Sequence, residues 1–373
     1  MPEPAVLRTA EPRSDTARGP APAARTGITT DTANTANTAN TANTANTANT
    51  ANGSGPYAVA ADLDTLVGRH TFDEVWGILV DGRPWPGLGP GEPLTLPMRH
   101  GDVRVDTQSA LATLGPAWGL GSLHDIGDEQ AREDLERTTI ATHTFVAQSA
   151  RGLHVPAVPY WVTDAGQSAA ERFLLRWRGQ ADPRHVRAVD AYWCSAAVHP
   201  VDAATTTARV IASTGADVAT CLSGAVAAMA GPRLGAAPAA VLRMIEAIEH
   251  GADARATVRA ALDGGDGLPL FAASPPGGSA RGRALREATA RIGAARFEAA
   301  AALEEAACEA LREQRPDTAG RTGGGEFWAA VLLDSAGVPP QLFTAMAICG
   351  RTADWSAHVL DRKRSGDPVT VAA

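Results

Sequence analysis

Cysteine is scarce: the 373 residues hold four, Cys194, Cys221, Cys308 and Cys349. They lie far apart in apolar runs, with no Cys-x-x-Cys and no paired Cys/His spacing. That pattern excludes a disulfide framework and a metal site and reads as reduced core thiols. Long apolar runs are missing as well, and none reaches the ~20 residues that a bilayer-spanning helix needs. The N-terminus, MPEPAVLRTAEPRSD, carries no apolar segment of the kind found in secretory signals. The expectation is a cytoplasmic protein without a membrane partner. Positive charge is in deficit, with 33 Lys and Arg against 41 Asp and Glu and a net charge of −8. An acidic balance argues against nucleic acid as the main partner. Lysine is nearly absent, and Lys363 is the one exception to arginine. Finally, no stretch alternates apolar and polar residues as a half-buried strand does, so the chain reads as mainly α.

What is there begins with a tail. Residues 1–56 are rich in Pro, Ala, Thr and Asp and include seven Thr-Ala-Asn triplets from Thr32 to Asn52. A three-residue period of small polar side chains buries too little surface to offset chain entropy, so this stretch is expected to be disordered. Order is expected from Tyr57. Apolar residues fall at helical spacing between Asp62 and Asp81. Val103 to Ala117 reads as a helix stopped at Gly115-Pro116. Asp128 opens another, with acids in its first turn. Gln167 to Trp177, Pro183 to Ala196, Asp217 to Ala230, Ala239 to Ile248, Ala280 to Ile292 and Phe297 to Gln314 follow, and Pro339-Pro340 introduces a last helical region.

The stretch from His199 to Ile248 organises the rest. It holds HPVDAAT (residues 199–205), ASTGAD (212–217) and GPRLGAA (231–237). Together these resemble the core signature of the citrate synthase family: His-Glu-x-Asn-Ala-Ser-Thr, then Ala-Ser-Thr-Gly-Ala-Asp, then Gly-Pro-Leu-His-Gly-Gly-Ala. VDAYWCSAA, EFWAAVLLDSAGVPP and RTADWSAHVL resemble in particular the short bacterial branch often called citrate synthase 2. The resemblance runs from about Tyr57 to Gly366. It implies a mainly α, citrate synthase-like fold, with a large helical domain at 57–233 and 326–373 and a smaller inserted helical domain at 234–325. The small-residue helix, with Gly215 and Gly224, suits close packing either at a dimer interface or inside one subunit.

The resemblance also implies a reaction: acetyl-CoA, oxaloacetate and water giving citrate and CoA, as in the tricarboxylic acid cycle. A carboxylate takes a proton from the acetyl methyl, one histidine hydrogen-bonds the enol oxygen, and another donates to the keto oxygen. Arginine forks hold the carboxylates of the keto acid. Glu326 stands at the base position, where the usual residue is Asp; its ordinary alternative is a first-turn helix acid. His199 stands at a keto-acid-binding histidine and Arg351 at a carboxylate-binding arginine. Arg281 is a further carboxylate-binding candidate if SAR matches Asp-Pro-Arg. Asp354 replaces a Gly three residues after Arg351 and so sets a negative charge beside it. The resemblance implies no resident cofactor and no metal. It implies CoA and dicarboxylate ligands and a homodimer, or a heterodimer with a paralogue.

The departures are specific. Leu234 stands where the family has a catalytic histidine, and the second falls at Ala273, or at Leu268 with a different gap. The sequence has no histidine between His250 and His358. The C-terminal Arg-Pro segment that gives an arginine to the neighbouring subunit's site has no counterpart in SGDPVTVAA. Losing one oxyanion-type donor costs about 10²–10³ in rate, and losing a general acid about 10²–10⁴. Three readings follow: a family member with lost or strongly reduced synthase activity, a condensing enzyme for another acyl-CoA or keto acid, and a non-catalytic regulatory or dimerisation partner.

Overall fold

The computed structural model describes residues 63–231, 236–264, 268, 270, 271, 279–314 and 324–366. The tail at 1–56 and the positions of Leu234 and Ala273 lie outside the described residues. The described residues form α1 (Leu63–Leu66), α2 (Phe72–Asp81), α3 (Val103–Trp118), α4 (Asp128–Ala150), α5 (Tyr160–Thr163), α6 (Ala169–Arg178), α7 (Pro183–Ala197), α8 (Ala203–Ser213), α9 (Val218–Ala228), α10 (Ala236–Glu249), α11 (Ala254–Asp263), α12 (Ala280–Arg291), α13 (Phe297–Gln314), α14 (Gly325–Ser335) and α15 (Phe343–Ser365). No strand occurs among them, and no single described helix is long and apolar enough to cross a membrane.

Two helices of 23 residues, α4 and α15, pack against each other at the centre. The α4 sequence TTIATHT would be too polar to bury without local partners. Its threonines solve this inside the helix. The Thr138, Thr142 and Thr144 hydroxyls donate to the carbonyls of Asp134, Thr138 and Ile140 at 2.7, 2.8 and 2.9 Å, which removes their need for water. The face of α15 is met directly: Thr139 Oγ1 lies 3.3 Å from Ser356 Oγ. His143 Nε2 donates to the Cys349 carbonyl at 3.1 Å, and its ring stacks on Trp193 with centroids 4.6 Å apart. Trp76, Trp193 and Trp355 are fully buried around this seam, each burial contributing about 1.5–3 kcal/mol or more. The four cysteines are buried and free.

The structure corrects the expected boundaries in three places. The 62–81 stripe is two helices, because Gly68 takes φ 71° and Thr71 starts α2 with a capping box. Thr71 N–H donates to Glu74 Oε2 at 2.9 Å, and Glu74 N–H donates to Thr71 Oγ1 at 3.3 Å. The third helix does not stop at Gly115-Pro116. It carries Pro116 in its last turn and ends at Gly119, φ 64°. A helix that sequence reading passed over, α11, is started by Asp253, whose side chain accepts from Ala256 N–H at 2.8 Å. Gly224 in the small-residue helix, and Gly215 in the turn before it at φ 79°, make close approaches within the chain. A Cβ on Gly224 would sit 2.1 Å from Ile211 Cδ1, and one on Gly215 2.5 Å from the His124 ring.

Candidate functional site

Four helix ends and the middle of α15 supply the site. Helix α7 ends at Ala197, and the chain turns through His199 and Pro200 into α8. Asp202 is the N-cap of α8 and accepts from Thr205 N–H at 3.0 Å, which satisfies an otherwise orphaned helix amide. Arg281 lies in the first turn of α12, after the N-cap Ser279. Glu326 lies in the first turn of α14, whose N-cap Gly324 offers no side chain. Helix α15 brings in Arg351, Asp354 and His358. It can approach α7 because position 350 is glycine: a Cβ there would meet Ala196 Cβ at 2.7 Å and Trp193 Cα at 3.0 Å.

Arg351 is 4% exposed, and carboxylates hold it from two sides. Its Nη1 donates to Asp202 Oδ2 at 2.8 Å and its Nη2 to Asp202 Oδ1 at 3.0 Å. Nη2 also donates to Thr205 Oγ1 at 2.6 Å and to Asp354 Oδ2 at 2.9 Å. Thr205 Oγ1 in turn donates to Asp354 Oδ2 at 2.7 Å. Among the described residues, the buried Nε of Arg351 has no hydrogen-bond partner. His358 continues the row, with Nε2 3.5 Å from Asp354 Oδ1 and Nδ1 accepting from Arg209 Nη1 at 3.4 Å. Burial pushes the Asp202 carboxyl up, but the Arg351 hydrogen bonds and charge outweigh it and hold the group at about 2.

Arg281 and Glu326 form the second pair. Arg281 Nη1 donates to Glu326 Oε1, and Arg281 Nε donates to Ser195 Oγ at 3.4 Å. The arginine stem lies against Gly325, where a Cβ would come within 3.1 Å of it. The Tyr192 ring lies beneath the guanidinium, 6.0 Å from its centroid. The charge of Arg281 holds the Glu326 carboxyl below its ordinary range, against the push of burial.

His199 sits between the two pairs and feels both. Burial first, then the charges of Arg351 and Arg281, lower its pKa. Its Nδ1 donates to the Pro200 carbonyl at 2.8 Å. A neutral ring held that way presents a lone pair at Nε2, not a proton.

The structure therefore brings His199, Arg281, Glu326 and Arg351 into one electrostatic neighbourhood. The expected Asp354 contact with Arg351 is present. Sequence reading passed over Asp202 as a partner of Arg351; the sequence signals a changed charge there but not which group it meets. HPVDAAT places an Asp where the family pattern has Asn, so a neutral amide is replaced by a charge. Ser195, Tyr192 and Thr205 carried no comparable signal, because nothing local distinguishes them from ordinary helix residues. The chemistry available is a carboxylate that is already paired and an arginine whose terminal nitrogens face protein carboxylates.

Comparison with known proteins agrees with these motifs. The family described as "Citrate synthase, C-terminal domain" matches residues 91–369. A Mycobacterium tuberculosis protein named "Putative citrate synthase 2" is 51% identical over 318 residues, covering 84% of each chain. A "2-methylcitrate synthase" from Shewanella oneidensis is 30% identical over 207 residues, covering 54% of this chain and 53% of that one. The fold is shared with a solved citrate synthase from Thermoplasma acidophilum, described as a ternary complex with carboxymethyl coenzyme A and oxaloacetate. Its TM-score is 0.62 at 18% identity, over 81% of this chain and 84% of that one. The citrate synthase of Pyrobaculum aerophilum gives a TM-score of 0.59 at 21% identity, over 81% and 82%. With its family-specific blocks in order and its all-helical frame, this chain belongs to the citrate synthase family.

Proposed function

We propose that this protein keeps the citrate synthase fold and the remains of its site, and that it condenses acetyl-CoA with oxaloacetate slowly or not at all. One observation carries the reading: the Arg351 guanidinium, at the position that would hold a substrate carboxylate, already grips Asp202 with two bonds and donates to Asp354. A substrate carboxylate would have to displace a bidentate partner and then face a second buried charge. Charge-assisted bidentate pairs are the strong class of hydrogen bond, so the displacement is costly. Three further features point the same way. Glu326 is paired with Arg281, which lowers its basicity. His199 offers a lone pair to a keto oxygen instead of a proton. Leu234, at the enolate-donor position, has no group to donate.

On this reading the segment 234–325 is the smaller domain, CoA and small acids are the ligands, and the protein is a cytoplasmic homodimer or pairs with a paralogue. The CoA ligand is supported by the Thermoplasma acidophilum relative, whose complex contains a CoA derivative and oxaloacetate. A second reading, condensation with a different acyl-CoA, draws on the similarity to a 2-methylcitrate synthase.

The deciding experiment follows CoA release by the full-length protein from acetyl-CoA and from propionyl-CoA, each with oxaloacetate. The expected result is turnover far below ordinary enzyme rates of about 10 s⁻¹ with acetyl-CoA. Turnover at that ordinary level would overturn the weak-synthase reading. Rapid release with propionyl-CoA alone would favour the second.

A further inference from the structure

We infer that His358 is a positioning residue for this site: its Nε2 proton holds the Asp354 carboxylate in place against Arg351, and a second proton on the ring loosens that hold. The consequence for acid binding rests on the proposal above that Arg351 is an acid-binding arginine.

Asp354 joins the two residues, because its oxygens have different partners. Oδ2 accepts from Arg351 Nη2 at 2.9 Å and from Thr205 Oγ1 at 2.7 Å. Oδ1 faces His358 Nε2, 3.5 Å away. Spacings of three and four residues put Arg351, Asp354 and His358 on one face of α15. Their side chains are buried, at 4%, 0% and 8% exposure, so water does little to screen one from the next. The link depends on Asp354, and the Gly of the family pattern at this position could not make it.

Arg209 fixes which nitrogen of His358 carries the proton. It reaches across from α8, and its Nη1 lies 3.4 Å from His358 Nδ1. A guanidinium only donates, so Nδ1 accepts and the single proton of the neutral ring sits on Nε2, toward Asp354. The charged groups that act on the ring are Asp354, Asp361 and Arg351 on α15 and Arg209 on α8. Burial is the largest influence. Joined by the two arginines, it outweighs the two carboxylates and holds the ring below its ordinary 6.5. As pH falls through that lowered value the ring gains a proton and both contacts change. Nδ1–H then opposes the Arg209 donor, and a cation on the Oδ1 side of Asp354 competes with Arg351. One positive charge is added to the row that a substrate carboxylate would approach, so acid binding tightens.

Nitrogen-15 NMR of the full-length protein tests this without a ligand. His358→Gln keeps an N–H that can reach Asp354, removes the titration and identifies the His358 signals. Arg351→Lys identifies the Arg351 Nε signal. The expected result is a neutral His358 protonated on Nε2. The Arg351 signal should shift with the His358 midpoint in the wild type and stay fixed over the same pH range in His358→Gln. A proton on Nδ1, or an Arg351 signal that ignores the His358 titration or moves equally in the variant, would overturn the inference. If His358→Gln fails to fold, Arg209→Gln decides. Removing that cation should carry the His358 and Arg351 midpoints together to higher pH, and an Arg351 signal that stays behind overturns the assignment. Calorimetry with malate then reads the consequence for binding. Comparison with His358→Gln at each pH cancels the acid's own protonation. On that scale wild-type affinity should rise at least about fivefold from about pH 7.5 to the acid side of the His358 midpoint. A coupled Arg351 signal without that rise would count against Arg351 as an acid-binding group, and not against the positioning of Asp354 by His358.

Discussion

Arg351 and Asp202 meet fork to fork, at 2.8 and 3.0 Å, across 149 positions of sequence. The contact joins the first residue of the α8 entry to the middle of α15, and it closes the arginine that the family resemblance assigns to substrate. Its two ends are not equivalent. Arg351 is 4% exposed, whereas the Asp202 side chain is 38% exposed. The same carboxylate also caps a helix, so its two roles can be separated by substitution.

Asp202→Asn should retain the cap and Asp202→Ala should lose it. The alanine variant is expected to be less stable than the asparagine variant by about 1 kcal/mol, read as a shift in urea midpoint at unchanged slope. Equal midpoints would show that Thr205 N–H does not depend on this cap. Acidity adds a second reading. The Asp202 carboxyl is lowered from its ordinary 3.8 to about 2 in the folded state. Its contribution is therefore complete above pH 3.8 and is lost as pH falls toward 2. The stability gap between wild type and Asp202→Asn should be flat from about pH 7 to 5 and close by about pH 2.

Asp354 is fully buried and accepts from both Arg351 and Thr205. Asp354→Ala removes one partner and leaves the other groups buried, which costs about 3 kcal/mol or more. Guanidinium or urea unfolding measures this. A loss below about 1 kcal/mol would place the ion pair among those that contribute little.

His143 predicts an acid limb of stability. Burial pushes the ring down to about 3, although it donates to the Cys349 carbonyl. A folded-state pKa below the ordinary 6.5 means that stability is full above 6.5 and falls as the unfolded chain takes up protons below it. The loss should reach on the order of 4 kcal/mol by about pH 3.5. His143→Gln should flatten that slope, because glutamine does not titrate and can still donate to the carbonyl. An equally steep acid limb in the variant would assign the loss to other groups.

Much of this fold can be read from the sequence where helical periodicity and caps agree, as at α7 and α12. Reading fails where one residue overrides the stripe. Gly68 and Thr71 cut a continuous apolar pattern into two helices, and Pro116 lies within the last turn of α3 at the cost of one amide-to-carbonyl bond, without ending the helix before it. The site divides the same way. Asp354 could be paired with Arg351 from spacing alone, since residues three apart share a helix face. Asp202 could not, because its contact depends on how α8 meets α15. Nor could the Arg281–Glu326 pair, which joins the first turns of α12 and α14 through tertiary packing.

That Arg281–Glu326 pair yields the last prediction. The family resemblance sets Glu326 at the base position, and Arg281's charge holds its carboxyl below the ordinary 4.5. A base must be ionised to act, so the acid limb of any proton abstraction should follow this lowered value. The same pairing makes the carboxylate a poorer proton acceptor, because Brønsted behaviour ties rate to basicity. Arg281→Gln removes the charge and should raise the Glu326 pKa, moving the acid limb to higher pH. Carbon-13 NMR of labelled glutamate carboxyls follows the titration directly, and Glu326→Gln identifies the resonance. Exchange of acetyl-CoA methyl protons in deuterated water follows the chemistry without requiring condensation. Glu326→Gln should slow that exchange by about 10²–10⁴. If Arg281→Gln leaves the Glu326 titration where it was, the pair does not set the base. If Glu326→Gln exchanges as fast as the wild type, Glu326 is a first-turn helix acid and not the group that takes the proton.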